Sequence, residues 1–438
     1  MIIDEEILKD GVNEVLLARL ISEHSRGKER LDRLYDYYIG KHAVCSRKRV
    51  SSSAVNNKIV CNHAKYIVDI AKSYLVGNPI TYTCSDGYNI DAVRNSFTEQ
   101  DMASIDAELE KSMSIYGKTY ELVYADEESQ PRSVCLPPTN TFIVYGAGVG
   151  EIPLCGIHYY KKHDIDGSVT GVCVLVCDNK YMYTYTNDAD SFEHIKLADK
   201  SPHFFGALPM VEYRNNEEEQ GDFEQMIPLI DAYNILQSDR VNDKEQFVDA
   251  LLFLTGIDLD SEQAKKLREE RILMGYEGAS AQYLAKVMSE SDVEVLKDCL
   301  KADIHRFSMI PDLSDRTFGT NLSGVAIKYK LMGFEQHVRN KERYFAKALK
   351  KRFELYTSFL SLKGAMEYVP IHRINITFTR NMPVNELEVS QMVQNLSGIA
   401  SNETLLSQLS FVGDPKEEAQ KVFKEKKQTD TQSASGAE

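Results

Sequence analysis

The stretch GDFEQMIPLIDAYNILQSDRVNDKEQ, residues 221–246, combines an apolar stripe and a polar run in a single predicted helix. Asp222 and Gln225 have the spacing of a capping box, which predicts a helix start there. The second half, QSDRVNDKEQ at 237–246, is almost entirely polar. A helix that is polar all round is not held in place by burial, so this part must be exposed, line a wet cavity or pair with other chains. The first half carries apolar residues at helical spacing, which predicts one buried face: Phe223, Met226, Ile227, Ile230 and Tyr233.

Helical patterns continue beyond this stretch. The first helix is predicted to run over 223–256 and is followed by an irregular, glycine-containing segment at 257–290. A second helix is predicted over 291–310, because Pro311 then interrupts the pattern. The sequence therefore predicts two long helices joined by an irregular connection.

A polar loop and a third helix come next. The passage DLSDRTFGTNLSGVAIKYKL, residues 312–331, begins with small and polar residues, and Ser323 is the predicted N-cap of the helix. This helix is predicted to extend to about residue 360, longer than an ordinary globular helix. Between 323 and 352 it carries nine Lys and Arg residues against two Glu. Such a composition is typical either of a solvated face or of a surface that meets acidic neighbours or DNA.

The first half of the chain mixes helical patterns with short strand patterns. GVCVLVC and KYMYTYT flank Asp178 and Asn179, a spacing that is typical of a β-hairpin. The segment KHAVCSRKRVSSSAVNNK, residues 41–58, contains five Lys and Arg residues and no acid. It either contacts phosphates or forms a solvated loop. Together these patterns predict an α+β fold that is predominantly α-helical, with an antiparallel sheet in its first half.

Composition places the chain among globular proteins and limits its partners. It has 438 residues, of which 43% are hydrophobic and 27% charged, and a net charge of −15. Because phosphate neutralisation supplies most of the affinity for nucleic acids, this balance disfavours tight general binding to DNA. No apolar run reaches the ~18 residues of a membrane span, and the acidic start MIIDEEILKD is unlike a signal peptide. Eight scattered cysteines are typical of reduced thiols in a cytosol.

Two glycine motifs suggest nucleotide binding but lack the context that it needs. IYGKTY at 115–120 contains the Gly-Lys-Thr of a phosphate-binding loop, but Ser112 stands where that pattern requires its first glycine. GAGVG at 146–150 is half of a dinucleotide fingerprint, with Pro153 where a helix should open. Neither motif therefore predicts a nucleotide site.

The cysteines do not predict a metal site either. Cys173 and Cys177 on one strand would lie about 13 Å apart, too far for a single zinc ion. We therefore predict no catalytic residue, no metal and no cofactor. Acidic residues that only the fold brings together leave one enzymatic alternative open, a nucleic-acid-processing enzyme such as a metal-dependent nuclease.

Five blocks of the sequence occur in order over residues 30–410. They are YYIGKH at 37–42, NNKIVCNHAKYIVDIAKSYLVGNPITY at 56–82, FGALPMVEYRNNEEEQGDFEQMIPLIDAYNILQSDRVND at 205–243, MIPDLSDRTFGTNLSGVAIKYKLMGFEQ at 309–336 and ITFTRNMPVNELEV at 376–389. Together they resemble the portal proteins of tailed bacteriophages of the siphophage kind. One block alone would be a weak signal, whereas five in order with matching helix and strand character are specific.

The resemblance implies a structural role in the virion. Portal proteins of this kind form a ring, usually of twelve subunits, at one vertex of the capsid, and they are assembled in the cytoplasm of the host bacterium. A terminase motor pumps double-stranded DNA through the central channel, and the ring later joins the head to the tail. The implied partners are further copies of the chain, the terminase large subunit, head–tail adaptor proteins and the major capsid and scaffolding proteins, with no membrane. A head–tail adaptor or other capsid component stays an alternative.

The resemblance also divides the chain into the parts of a portal. Many relatives have a longer C-terminal region, which implies a reduced crown here. The implied parts are an α/β wing at 1–222, stem helices at 223–256 and 291–310 around a clip at 257–290, a channel loop at 311–322, a long helix with a wing strand at 323–385 and a helical crown at 386–427. The tail at 428–438 is disordered by composition.

Two sets of residues are implied as functional. In the channel loop, Arg316 is expected to contact phosphate, Asp315 to limit adhesion and Phe318 to fix the root of the loop. The full loop set is Asp315, Arg316, Thr317, Phe318, Gly319, Thr320 and Asn321. The stem residues expected to line the channel or to contact other subunits are Gln237, Asp239, Arg240, Asn242 and Lys244.

Overall fold

The chain forms two compact units. The first comprises Met1–Pro311 and Phe334–Thr379, and the second comprises Asp312–Gly333 and Arg380–Glu438. The computed structural model describes residues 1–8, 12–48, 55–84, 88–248, 251–255, 280–284, 290–314, 324–380, 386–409, 412, 418–419 and 421–424.

Helices account for a large part of the described chain. Among the described residues, no helix is both long and apolar enough to span a membrane. In chain order the helices are α1 (Glu14–Arg26), α2 (Lys28–Tyr38), α3 (His63–Val76), α4 (Asp91–Glu99), α5 (Met102–Tyr116), α6 (Ile227–Val248), α7 (Glu290–Ser308), α8 (Gly324–Lys330), α9 (Met332–Leu362), α10 (Glu386–Leu396) and α11 (Asn402–Leu406).

The strands of the described residues form four sheets. The largest has the order β1-β5-β6-β7-β8-β9, parallel between β1 and β5 and antiparallel elsewhere; the others are β10-β3-β4, β11-β12 and β13-β2, all antiparallel. The strands are β1 (Ile2–Ile3), β2 (Thr81–Cys84), β3 (Lys118–Ala125), β4 (Pro131–Leu136), β5 (Thr141–Gly146), β6 (Pro153–His163), β7 (Val169–Cys177), β8 (Tyr181–Asn187), β9 (Lys196–Pro202), β10 (Met210–Arg214), β11 (Leu251–Thr255), β12 (Ser280–Leu284) and β13 (Ile374–Thr377).

One hydrophobic core of the first unit lies between α1 and the six-stranded sheet. Leu17, Leu20 and Ile21 recur on one face of α1 and are buried in the same cluster as Val174 and Val176 of β7. Burying each such side chain contributes about 1.5–3 kcal/mol relative to its exposure. The hairpin predicted around residues 178–179 is confirmed, because β7 and β8 are antiparallel neighbours and Cys177 pairs with Met182 next to the turn.

The Gly-Lys-Thr motif closes the turn from α5 into β3. Gly117 caps α5 with a φ of 88°, and a Cβ at this position would come within 1.9 Å of Glu219 O. Only glycine combines this left-handed conformation with so close an approach. Lys118 forms an ion pair with Glu219 at 2.5 Å. The lysine that the motif would use for phosphate is therefore engaged within the chain.

Buried charges attach α9 to the rest of the first unit. Lys341 is 1% exposed, and its Nζ lies 2.7 Å from Glu110 Oε1 and 2.6 Å from Asp222 Oδ2. Burial opposes ionisation of Asp222, but the charges of Lys341 and His337 outweigh it and hold the pKa of this carboxyl well below its usual range. Asp222 is thus a counter-ion of Lys341 and helps to hold α9 in place.

A second buried cation lies eleven residues further along, about three helical turns, and so on the same face of α9. Arg352 is 0% exposed; its Nε donates to Glu121 Oε1 at 2.7 Å and its Nη1 to Asp106 Oδ1 at 2.6 Å. Burial raises the pKa of Asp106 to about 6, against the opposing effect of Arg352. Since a buried charge without its partner is strongly destabilising, the two cations fix the register of α9.

Three sequence predictions about helices need correction. The helix predicted over 223–256 ends earlier: Leu251–Thr255 is strand β11, paired with β12, because the run LLFLT suits a strand as well as a helix. The predicted capping box does not form, since α6 begins only at Ile227 and Asp222 is bound to Lys341. The helix predicted over 323–360 is interrupted at Leu331, between α8 and α9. Its predicted N-cap, Ser323, lies outside the described residues.

Replacing Lys341 with Met should destabilise the first unit. The variant leaves the carboxylates of Glu110 and Asp222 buried without their cation, which is expected to lower the free energy of unfolding by about 3–5 kcal/mol. Urea titration followed by circular dichroism measures the loss. Lys162→Met, at an exposed lysine of β6, is the control and should change it by less than about 0.5 kcal/mol. Equal midpoints for the two variants would contradict this prediction.

Candidate functional site

The structure describes one of the two predicted sets of functional residues. The predicted channel-loop residues, 315–321, lie outside the described residues; of the loop predicted at 311–322, only 311–314 are described. The stem set lies on α6, in its polar half, and every one of its members is described. The site is therefore built from α6, from the segments that contact it and from the end of α7 that precedes the loop.

One face of the polar half of α6 binds an extended segment of the same chain. Three side chains of α6, one per turn, are 0% exposed and accept hydrogen bonds from the backbone N–H groups of alternate residues of that segment. We call this arrangement the amide ladder. Its bonds join Asn57 N to Asn242 Oδ1 at 2.7 Å, Ile59 N to Ser238 Oγ at 3.0 Å and Cys61 N to Asn234 Oδ1 at 2.8 Å.

His42 extends the amide ladder at its Asn234 end. His42 Nε2 donates to Tyr37 O at 2.9 Å, and Asn234 Nδ2 donates to His42 Nδ1 at 2.7 Å. This pattern requires a neutral imidazole, in agreement with burial, which lowers the pKa of His42. Tyr37 in turn donates from its hydroxyl to Asp231 of α6 at 2.8 Å.

The basic segment 41–58 also reaches α6. Arg47 donates from both terminal nitrogens to Asp239, at 2.9 and 3.1 Å, and Lys58 donates to Cys45 O at 2.7 Å. One of the two sequence interpretations made this segment a solvated loop, but both side chains form hydrogen bonds within the chain. Arg47 instead anchors the segment at a predicted stem residue.

Three other predicted stem residues, Gln237, Arg240 and Lys244, lie on the more accessible side of α6. Gln237 Oε1 accepts from Arg240 Nη1 at 3.3 Å, and Arg240 Nη2 pairs with Glu294 of α7 at 3.0 Å. Lys244 is exposed. Asn242 differs from the prediction, because it is fully buried in the amide ladder and is not accessible for a channel or another subunit.

The end of α7 is fixed immediately before the predicted channel loop. His305 Nδ1 donates to Ile310 O at 3.0 Å, and Tyr66 of α3 donates from its hydroxyl to Pro311 O at 3.1 Å. The rings of Tyr66 and His305 meet edge to face, 5.5 Å apart. Met309 has a φ of 58°, a conformation that non-glycine residues seldom adopt, and it follows the last residue of α7. The chain is thus turned and attached to α3 before residue 312.

Sequence reasoning missed Tyr66, His305 and the acceptors Asn234 and Ser238. The roles of Tyr66, Asn234 and Ser238 arise from contacts between segments more than a hundred residues apart, which no local pattern contains. One signal was present in the sequence: Asn234, Ser238 and Asn242 recur every four residues and place amide or hydroxyl groups on one face of α6. Such a row is what a buried backbone segment requires.

Replacing Asn242 with Ala should loosen the amide ladder. The partly buried Asn57 N–H then loses its acceptor, which is expected to cost about 0.5–1.5 kcal/mol. Hydrogen–deuterium exchange of a peptide spanning 55–62 should become faster. Lys244→Ala, at an exposed position of the same helix, is the matched control and should leave that exchange unchanged. Identical exchange in the two variants would rule out the ladder as the support of this segment.

Two curated relatives align with nearly the whole chain. The portal protein of Bacillus phage SPP1 is 25% identical over 456 aligned residues, which cover 97% of this chain and 90% of the relative. The portal protein of Clostridium phage phiCD119 is 24% identical over 452 residues, which cover 94% of this chain and 95% of the relative. The chain is thus similar to these portal proteins along its whole length.

Solved structures and a family model complete the comparison. A chain from the neck of an empty GTA particle, computed with C6 symmetry, has a TM-score of 0.47, 13% identity and coverage of 79% of this chain and 89% of its own. A chain from the neck of a native GTA particle, computed with C12 symmetry, has a TM-score of 0.46 with the same identity and coverage. The model of the family described as phage portal protein, SPP1 Gp6-like, matches residues 17–432. The chain therefore belongs to the SPP1 Gp6-like family of phage portal proteins.

Proposed function

We propose that the chain forms a ring-shaped channel at one capsid vertex, through which the phage genome enters and leaves the head. The observation that carries this proposal is the family match over residues 17–432. Portal proteins are structural components of the virion and not enzymes, and the chain is assigned the same role. This role disfavours the alternative of a metal-dependent nuclease.

The α6–α7 pair supports a stem and clip. These two long helices are linked through the antiparallel strands β11 and β12 and are tied to each other by the ion pair of Arg240 and Glu294. We assign the stem to α6 and α7. We place the start of the clip at β11 and not at residue 257, the boundary predicted from the sequence. In this assignment the stem surface toward the channel or toward other copies is formed by Gln237, Asp239, Arg240 and Lys244.

The partners follow from this assignment. Twelve copies of the chain would close the ring, the clip would meet the terminase large subunit and later the head–tail adaptors, and the wing would meet the capsid and scaffolding proteins. Double-stranded DNA would pass the loop at 315–321 without sequence-specific contacts. The net charge of −15 suits such passage, since an acidic surface repels phosphate and limits retention.

Deleting Gly319–Asn321 should abolish DNA packaging while leaving ring assembly intact. The shortened loop would no longer reach the DNA, whereas its root is held separately by Tyr66 and His305. Native mass spectrometry and negative-stain images measure assembly. The amount of DNA packaged into heads measures the function of the loop. We expect this amount to fall at least about tenfold, which corresponds to about 1.4 kcal/mol in the step that the loop supports.

The matched control removes three residues from another loop. Residues 148–150, which follow β5, are exposed, and Gly148 and Gly150 have no neighbours within contact distance of a Cβ. This deletion should leave assembly and packaging at the parent level. Normal packaging by the Gly319–Asn321 deletion would refute the role of the loop, and a parent chain that stays monomeric at high concentration in every salt would refute the ring.

A further inference from the structure

The exposed side of α9 carries a row of basic residues, opposite the face that holds Lys341 and Arg352. At about 100° per residue, the row occupies an arc of about 80° that is centred roughly across the helix from the two buried cations. All of its members are exposed. The row, called the basic stripe below, consists of Arg339, Arg343, Lys347 and Lys350.

Most of the basic stripe has no counter-ion in the described part of the chain. Arg339 donates to Glu335, one turn earlier, at 2.9 Å. No ion pair joins any of the other three to another described residue. The acids on the same side of α9, Glu335 and Glu354, flank the stripe at its two ends. Like charges three and four residues apart repel each other, so the stripe disfavours the isolated helix and favours contact with an acidic partner.

We propose that the basic stripe binds an acidic surface of the neighbouring copy in the ring; this rests on the proposed portal function. In a closed ring the interface is head-to-tail, so that each patch meets a different patch of the next subunit. A stripe of one sign on a chain of net charge −15 fits this geometry, since the remaining surface supplies the opposite sign. It does not fit a two-fold dimer whose axis passes through the stripe, because the stripe would then face itself.

Charge density favours a second copy over DNA as the occupant. A second copy offers separate acidic side chains to the stripe, and charge pairs across an interface set partner and register. DNA carries a far denser negative charge, so the net charge of −15 around the stripe opposes its approach more strongly. The two occupants also differ in what they require: a neighbouring copy needs the stripe for assembly, whereas DNA needs it only after the ring exists.

The test reverses two charges of the basic stripe in the full-length chain. Lys347→Glu with Lys350→Glu should raise the concentration at which half of the subunits are assembled by roughly tenfold or more, because attraction becomes repulsion. Added NaCl should reduce the difference in this concentration between the variant and the parent, since salt screens exposed charges. Assembly is measured by native mass spectrometry and sedimentation velocity. Binding of a linear DNA duplex to assembled rings is measured in parallel.

Two control pairs separate charge at this site from charge in general. Lys162→Glu with Lys180→Glu makes the same charge change at exposed positions of the six-stranded sheet and should assemble like the parent. Lys347→Arg with Lys350→Arg keeps the charge and should also assemble like the parent. Circular dichroism melting checks the fold, and Lys347→Gln with Lys350→Gln replaces the Glu pair if that pair does not fold.

Each outcome decides the proposal. Weakened assembly of the stripe pair alone supports it. Parent-like assembly with lost duplex binding would overturn the proposal and assign the stripe to DNA. Parent-like behaviour in both assays would also overturn the proposal and show that the stripe is a solvated face. If the parent chain never assembles, the proposed ring itself is overturned. If the parent and the stripe variant both assemble fully, only the proposed role of the stripe is overturned.

Discussion

Backbone N–H groups that leave water need acceptors, and the position of α6 in the first unit depends on this requirement. Asn234, Ser238 and Asn242 recur every four residues, about 6 Å along the helix, while the segment opposite advances about 6.6 Å for every two extended residues. Because the two repeats nearly coincide, three turns of helix satisfy three alternate amides of residues 57–61. Apolar side chains at these positions would leave the partly buried amides without these acceptors, at a cost of about 0.5–1.5 kcal/mol each.

The long helix α9 uses its cations in two opposite ways. Lys341 and Arg352 are buried among carboxylates, where removal of either partner leaves an uncompensated charge, so they fix how the helix is docked. The basic stripe on the other side contributes nothing to that docking and is available to solvent or a partner. The composition of α9, seven cations against three acids, therefore contains two functions that a count of charges does not separate.

Sequence patterns predicted what depends on neighbours along the chain. The apolar stripe of α6 and the hairpin around Asp178 follow from periodicity and turn residues, and both are present. What failed depends on distant segments. Asp222 carries a capping pattern but binds a lysine 119 residues away, and the polar half of α6 was interpreted as facing water or other chains although Asn242 meets Asn57. The run at 251–255 is a strand because Ser280–Leu284 pairs with it, which no local pattern specifies.

The helix α3 connects these separate contacts. The segment of the amide ladder runs directly into α3, whose Tyr66 holds Pro311 O at the end of α7. The ring of His63, the first residue of α3, meets Tyr233 of α6 at 4.9 Å and His305 of α7 at 5.8 Å. Both helices of the proposed stem are thus attached to α3, which belongs to the proposed wing. In the proposed channel, a force on the chain beyond residue 312 would pass first to Pro311 and then to α3. A displacement of the proposed loop would then be resisted by the proposed wing and not by the stem alone.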